Sequence, residues 1–174
     1  KQRLRAIMCG APAIRGTECG GKLEGAAINA RDASPICAGL LFGAPAGIIA
    51  GVIGGVERSF AVFWGAGEYT RLACSISTVL AGVFAAVLRK YMFDNKNPRW
   101  HYCLATAIIT ELIHMLMIFL TNMSDVHTAF SFVRACSLPM IAVNGLSVML
   151  AGALLSLLSE KERKSTRHNL KNIS

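Results

Sequence analysis

The sequence predicts an all-α fold, a polytopic transmembrane helix bundle, and three observations predict it. Of 174 residues, 53% are hydrophobic and only 16% charged, where a soluble domain carries about 25% charged residues. Uncharged runs of 17 to 24 residues recur along the chain, and about 20 mostly apolar residues suffice to cross hydrocarbon. The 18 Lys and Arg gather at the two ends and in short connections, the arrangement that the positive-inside bias produces. A mean hydropathy of +0.48 excludes a disordered chain and argues against a soluble enzyme. The net charge of +8 does not point to nucleic acid, because aromatics are only 7% of the residues and the basic residues flank apolar runs instead of alternating with aromatics on a folded surface.

Taken in order, Lys1 to Gly21 holds a weak apolar segment, Ala6 to Ile14, interrupted by Pro12 and followed by Arg15 and Glu18. It is too short and too charged for a clear span. Ala33 to Val56 is uncharged for 24 residues and broken by Gly43, Pro45, Gly47 and Gly51. Such breaks are tolerated where the freed backbone faces protein or a water-filled cavity, and they carry binding sites in transporters. A Pro-kinked helix with glycines for close packing fits equally well.

Leu72 to Leu88 predicts the next span, followed by the basic connection Arg89 to Trp100, which is expected in the cytoplasm. Tyr102 to Thr121 and Ala135 to Leu158 complete four spans. The basic tail after them, residues 159–174, reads as a cytoplasmic linker behind a membrane domain of residues 1–158. Counting back, Glu57 to Arg71 and Asn122 to Arg134 face outward and Lys22 to Asp32 faces the cytoplasm. A crossing by Lys1 to Gly21 would then set KQRLR outside, against the bias. Either that segment does not cross or Ala33 to Val56 is not one simple span. The start at Lys1 and the lack of a signal-peptide layout suggest a piece of a longer protein.

An ionisable side chain inside a membrane helix normally faces the bundle interior and has a partner. Glu111 and His114, three apart, share one helix face and read either as a polar clasp or as a proton-sensing or ligand-touching pair. The sequence offers them no third ligand at metal spacing. Asn144, just after Pro139, is expected to satisfy carbonyls freed by a helix break or to reach a ligand. Arg58 and Arg134 sit at span ends, where snorkelling is the default. Cys9, Cys19, Cys37, Cys74, Cys103 and Cys136 form no CxxC pair and read mainly as small buried hydrophobes. Asn29, Arg31, Glu57, Arg58 and Arg71 bracket the broken segment, and a guanidinium suits a carboxylate bidentately. A small anion is the expected ligand.

The blocks EGAAINAR (24–31), SPICAGLLFGAPAGIIAGVIGGVER (34–58), ACSISTVLAG (73–82), ELIHMLMIFL (111–120) and FVRACSLPMIAVNGLSVML (132–150) stand in this order along nearly the whole chain. In these residues the chain resembles the LytS-type five-transmembrane receptor domain. The resemblance implies a bacterial membrane sensor, multi-pass in the plasma membrane with a cytoplasmic C-terminus. It would precede an output module such as a histidine kinase, a diguanylate cyclase or a phosphatase, and would itself carry no catalysis. It also implies no cofactor, a small-molecule ligand, and a homodimer formed through the full-length protein.

Some relatives respond to small carboxylates such as pyruvate. Carried over by motif, the implied binding residues are Arg31 of the Asn-x-Arg motif with Asn29, Arg58 closing the broken segment, and Cys74 and Ser77 of Cys-x-x-Ser. Glu57, Glu111, His114, Arg134 and Asn144 remain as polar-core candidates. Two departures are visible: Glu57 stands where His is frequent, and the connection Ser59 to Tyr69 is longer, with Glu68 in it. A carboxylate there would repel an anion or pair with Arg58. Two other readings compete, a substrate-binding subunit of an uptake transporter and a structural anchor packed through Gly39, Gly43, Gly47, Gly51 and Gly55.

Overall fold

The computed structural model describes residues 22–23, 26–27, 31–64 and 68–171, so Lys1 to Gly21 and Asn29 lie outside the described residues. A two-residue antiparallel pair, Lys22–Leu23 with Ala26–Ala27, precedes the helices. Helix α1, Ala33–Cys37, continues as a π turn over Ala38–Phe42. Helix α2 is Ala44–Phe60, followed by a 3-10 turn over Ala61–Trp64. Helices α3 (Arg71–Tyr91), α4 (Trp100–Thr121) and α5 (Val126–Lys171) complete the bundle.

Among the described residues, three helices are long and apolar enough to cross a membrane: α3, α4 and the Val126–Ser165 stretch of α5. Their outward faces are apolar, with Ile76, Leu80, Ile109, Leu112, Leu116 and Leu150 each more than two-fifths exposed, whereas Thr78, Glu111, His114 and Asn144 are buried. Polar groups inside and apolar groups outside are what hydrocarbon as solvent selects.

The expected span Ala33 to Val56 is a hairpin. Gly43 has φ +97, a left-handed conformation that only glycine adopts without strain, and there the chain reverses. The two arms meet at glycines: a Cβ on Gly47 would stand 2.6 Å from the Cα of Gly39 and 2.7 Å from the carbonyl oxygen of Gly82. Farther along α2, Gly51 and Gly55 lie against the α3 backbone at Thr78 and Ser75. The small-residue stripe thus packs α2 on α3 within one chain. Pro45 lies in the first turn of α2, where its missing N–H costs nothing.

At the turn, the Arg89 guanidinium donates to the carbonyl oxygens of Leu40 and, at 2.9 Å, Asn95, and to Asn97 Oδ1 at 3.0 Å. A cation here satisfies a carbonyl that the end of the first arm leaves open.

The first arm begins partway into the bundle. Asp32 contacts Thr78, seven residues into α3 and so about 10 Å from its Arg71 end. The expectation of a cytoplasmic loop from Lys22 to Asp32 is therefore corrected at its end, since Arg31 and Asp32 are 1% and 2% exposed; the side chains before Arg31 lie outside the described residues. The charges of Arg31 and Asp32 find partners among the helices instead of water. Ala33 to Val56 is thus not one simple span: its first arm starts partway along the bundle and the chain turns at Gly43.

Two further expectations change. Asn122 to Arg134 is not a loop: only Asn122 to Asp125 connect α4 to α5, and the helix starts at Val126 because nothing in the following residues breaks it. Pro139 lies within continuous helix, so no break forms beside Asn144. The same helix runs on through the basic stretch to Lys171.

Because Gly47 meets backbone on two sides, Gly47→Val should lower unfolding stability in detergent by about 2 kcal/mol or more, the cost of overpacking. Gly145, whose added Cβ would meet only the Leu104 side chain at 3.2 Å, should accept Ala within about 0.5 kcal/mol. Thermal melts followed by circular dichroism compare the two.

Candidate functional site

The polar groups converge where the start of α1 meets α3, α4 and α5. Asp32 occupies the N-cap of α1, yet its carboxylate caps nothing there. It is drawn sideways: Oδ1 accepts from Thr78 Oγ1 at 2.6 Å and Oδ2 lies 2.7 Å from His114 Nδ1. The N-terminal N–H of the helix is served from another element, since Ala33 N donates to Asn144 Oδ1 at 3.1 Å. The Asn144 amide then donates to Glu111 Oε1 at 2.6 Å. One residue of α5 thus ties α1 to α4.

His114 joins the two halves of this network. Its Nε2 faces Cys74 Sγ at 3.3 Å, and its Nδ1 lies 3.9 Å from Glu111 Oε2. Glu111 Oε2 is buried without a hydrogen-bond partner. Glu111 and His114 do share a face, as the three-residue spacing requires, and that face points into the bundle. All of these side chains are buried.

The arginines flank the network. Arg31 Nε lies 3.8 Å from Glu57 Oε2, and Arg58 Nη2 donates to Thr70 Oγ1 at 3.2 Å. Both arginines are buried, at 1% and 2% exposed, so Arg58 does not snorkel. Arg31, Arg58 and His114 all lie within electrostatic range of the Cys74 thiol. Ser77 Oγ is buried without a hydrogen-bond partner; the residue lines a cleft of about 260 Å³ between α3 and α4 with Leu80, Phe84, Thr110 and Ile113.

Arg134 stands apart. It is exposed on α5, which corrects its place among the polar-core candidates, because its helix turns another face inward. Asn144 bonds Glu111 and Ala33, not carbonyls freed by Pro139. Asp32 and Thr78 are site residues that sequence reasoning passed over. The available signal is an Asp directly beside Arg31 at the edge of an uncharged run, a place that hydropathy assigns to a loop end because it does not encode half-depth entry.

The family described as 5TMR of 5TMR-LYT matches residues 1–158. The chain belongs to this family. It is 33% identical over 129 residues to the sensor protein LytS of Bacillus cereus and to that of Bacillus anthracis, covering 71% of this chain and 20% of each relative. It is 29% identical over 106 residues to the sensor histidine kinase YpdA of Escherichia coli, covering 61% of this chain and 18% of that protein. The chain therefore spans about a fifth of the length of these relatives. No solved structure matches it. The 5TMR chain is a membrane sensor domain of a signalling protein, and its apolar helices imply contact with lipid.

Asn144→Leu removes an acceptor from the Ala33 N–H and a donor from Glu111. Interhelical hydrogen bonds in membranes average about 0.6 kcal/mol and reach about 1.7, so the loss of two should cost about 1–3 kcal/mol. Equilibrium unfolding of the domain in mixed micelles measures it; an unchanged midpoint would place Asn144 outside the network.

Proposed function

We propose that this 5TMR domain is the signal-input part of a bacterial sensor protein such as a histidine kinase, and that it detects a small carboxylate, with pyruvate a leading example. Arg31 and Arg58 hold the carboxylate, and Cys74, Ser77 and Asn29 complete the site. The observation that carries this reading is the burial of two guanidinium groups, at 1% and 2% exposed, in a bundle with apolar outer faces. A charged group in that setting marks a ligand or ion path by default. The planar donors of arginine match a carboxylate two at a time.

Glu57 competes with the ligand for the Arg31 guanidinium. Its 3.8 Å separation from Arg31 Nε is long for a charge-assisted hydrogen bond, which closes to about 2.7–2.9 Å. A ligand carboxylate at closer range displaces it. The unpartnered Ser77 hydroxyl supplies a neutral donor nearby on α3.

Transmission follows from continuity. Asn144 sits in the network and in α5, which runs unbroken to Lys171. A change in how α1 sits against Asn144 therefore acts on a helix that extends beyond the membrane domain, with its basic end in the cytoplasm. The ligand must bind one arrangement better than the other. A shift from 1:99 to 99:1 requires about 5.5 kcal/mol of differential binding. The full-length protein is expected to act as a homodimer in the plasma membrane.

Purified domain in detergent, heated with pyruvate, lactate or acetate, tests the site. A ligand at 100 times its Kd stabilises by about 2.7 kcal/mol, well within range of a thermal-shift assay. Arg31→Ala and Arg58→Ala should each weaken the response at least tenfold while the domain still inserts in membranes. Equal shifts in wild type and both variants would overturn the carboxylate site.

A further inference from the structure

We propose that Asp32, Glu111 and His114 form a binding site for one divalent transition-metal ion, with zinc the expected occupant. Each residue offers a ligand atom, and these atoms lie within 4.8 Å of one another. All three residues are at most 2% exposed. The set combines an imidazole nitrogen with two carboxylate oxygens, the donors that zinc and its first-row neighbours accept.

The geometry around His114 Nδ1 carries the argument. Asp32 Oδ2 lies 2.7 Å from it on one side and Glu111 Oε2 lies 3.9 Å away on the other. Glu111 Oε2 is buried and makes no hydrogen bond. Zinc bonds of 2.0–2.2 Å set tetrahedral ligand atoms about 3.3 Å apart, so the Asp32 contact to His114 opens and the Glu111 contact closes by about half an ångström, while the two carboxylate oxygens, within 4.8 Å of each other, draw in to the same spacing. Side-chain rotation supplies that much.

The remaining atom of each ligand is already held by a second polar group. Asp32 Oδ1 accepts from Thr78, Glu111 Oε1 accepts from Asn144, and His114 Nε2 faces Cys74 Sγ. Such outer partners are what orient the ligands of metal sites and tune their basicity. A divalent cation would also match the charge of two carboxylates bound with a neutral imidazole. Calcium requires six to eight oxygens and magnesium keeps several waters in an octahedron, which three enclosed ligands do not provide. Three protein ligands leave zinc a fourth position for water or an exchangeable oxygen donor.

This site needs no carboxylate ligand, and its test uses none. The whole chain in detergent micelles is stripped with a chelator, titrated with zinc chloride, and its bound metal is counted by mass spectrometry after gel filtration. One equivalent is expected. Glu111→Gln and His114→Gln should each weaken zinc binding at least tenfold, and the double variant His101→Gln with His127→Gln should bind as wild type. Less than one equivalent in wild type overturns the site, as does unchanged zinc binding in Glu111→Gln that keeps its helical spectrum and elution volume, or loss in the His101, His127 variant. Should the cluster variants fail to fold, cobalt(II) loaded into wild type decides. Intense visible bands of a tetrahedral ion without thiolate charge transfer support the site, and weak octahedral bands or thiolate bands overturn it.

Discussion

The contact on which the bundle depends is the one between the Asp32 carboxylate and the His114 imidazole, 2.7 Å apart and shielded from water by apolar helix faces. Taking a carboxylate out of water costs several kcal/mol unless its oxygens are met by donors or charge. Asp32 meets Thr78 on one oxygen and His114 on the other, and through them the start of α1 is fixed to α3 and α4. That pair acts with the Ala33 N–H on Asn144 and the Arg89 guanidinium on the Leu40 carbonyl to hold the first arm at half depth.

Close backbone approach makes the contact reachable. Lipid gives helices no hydrophobic reason to associate, so small residues and dispersion must bring them together. The Gly47 surface lies on Gly39 and Gly82, and the left-handed Gly43 lets the chain reverse. Arg89 then ties the turn to the end of α3 through the Leu40 carbonyl. Each of these features is a matter of volume or backbone angle, yet their joint effect is to place Asp32 against His114, with Arg31 and Arg58 on the flank.

Much of this was legible in the sequence. Leu72 to Leu88 and Tyr102 to Thr121 lie within α3 and α4, because long uncharged runs have one low-energy answer in hydrocarbon. The inward face of Glu111 and His114 follows from spacing and the cost of exposing charge to lipid. What hydropathy does not encode is depth. Ala33 to Val56 has the length of one span, and only the left-handed angle at Gly43 turns it into a hairpin that lifts Asp32 from an expected loop into the core. Hydropathy also misses the helix start at Val126, since polar residues at a bilayer edge continue a helix as readily as they end it. Arg134 and Asn144 show that rotation about the α5 axis, set by neighbours, decides which polar residue is buried.

A double-mutant cycle of Asp32→Asn and His114→Gln, read by reversible unfolding in metal-free mixed micelles, tests the central contact most directly. The structure predicts a coupling energy of at least about 1 kcal/mol, since the two groups share one buried interaction. Effects that add within about 0.3–0.5 kcal/mol, as distant independent sites do, would mean that Asp32 does not reach His114 and that the first arm does not enter the bundle where it is placed here.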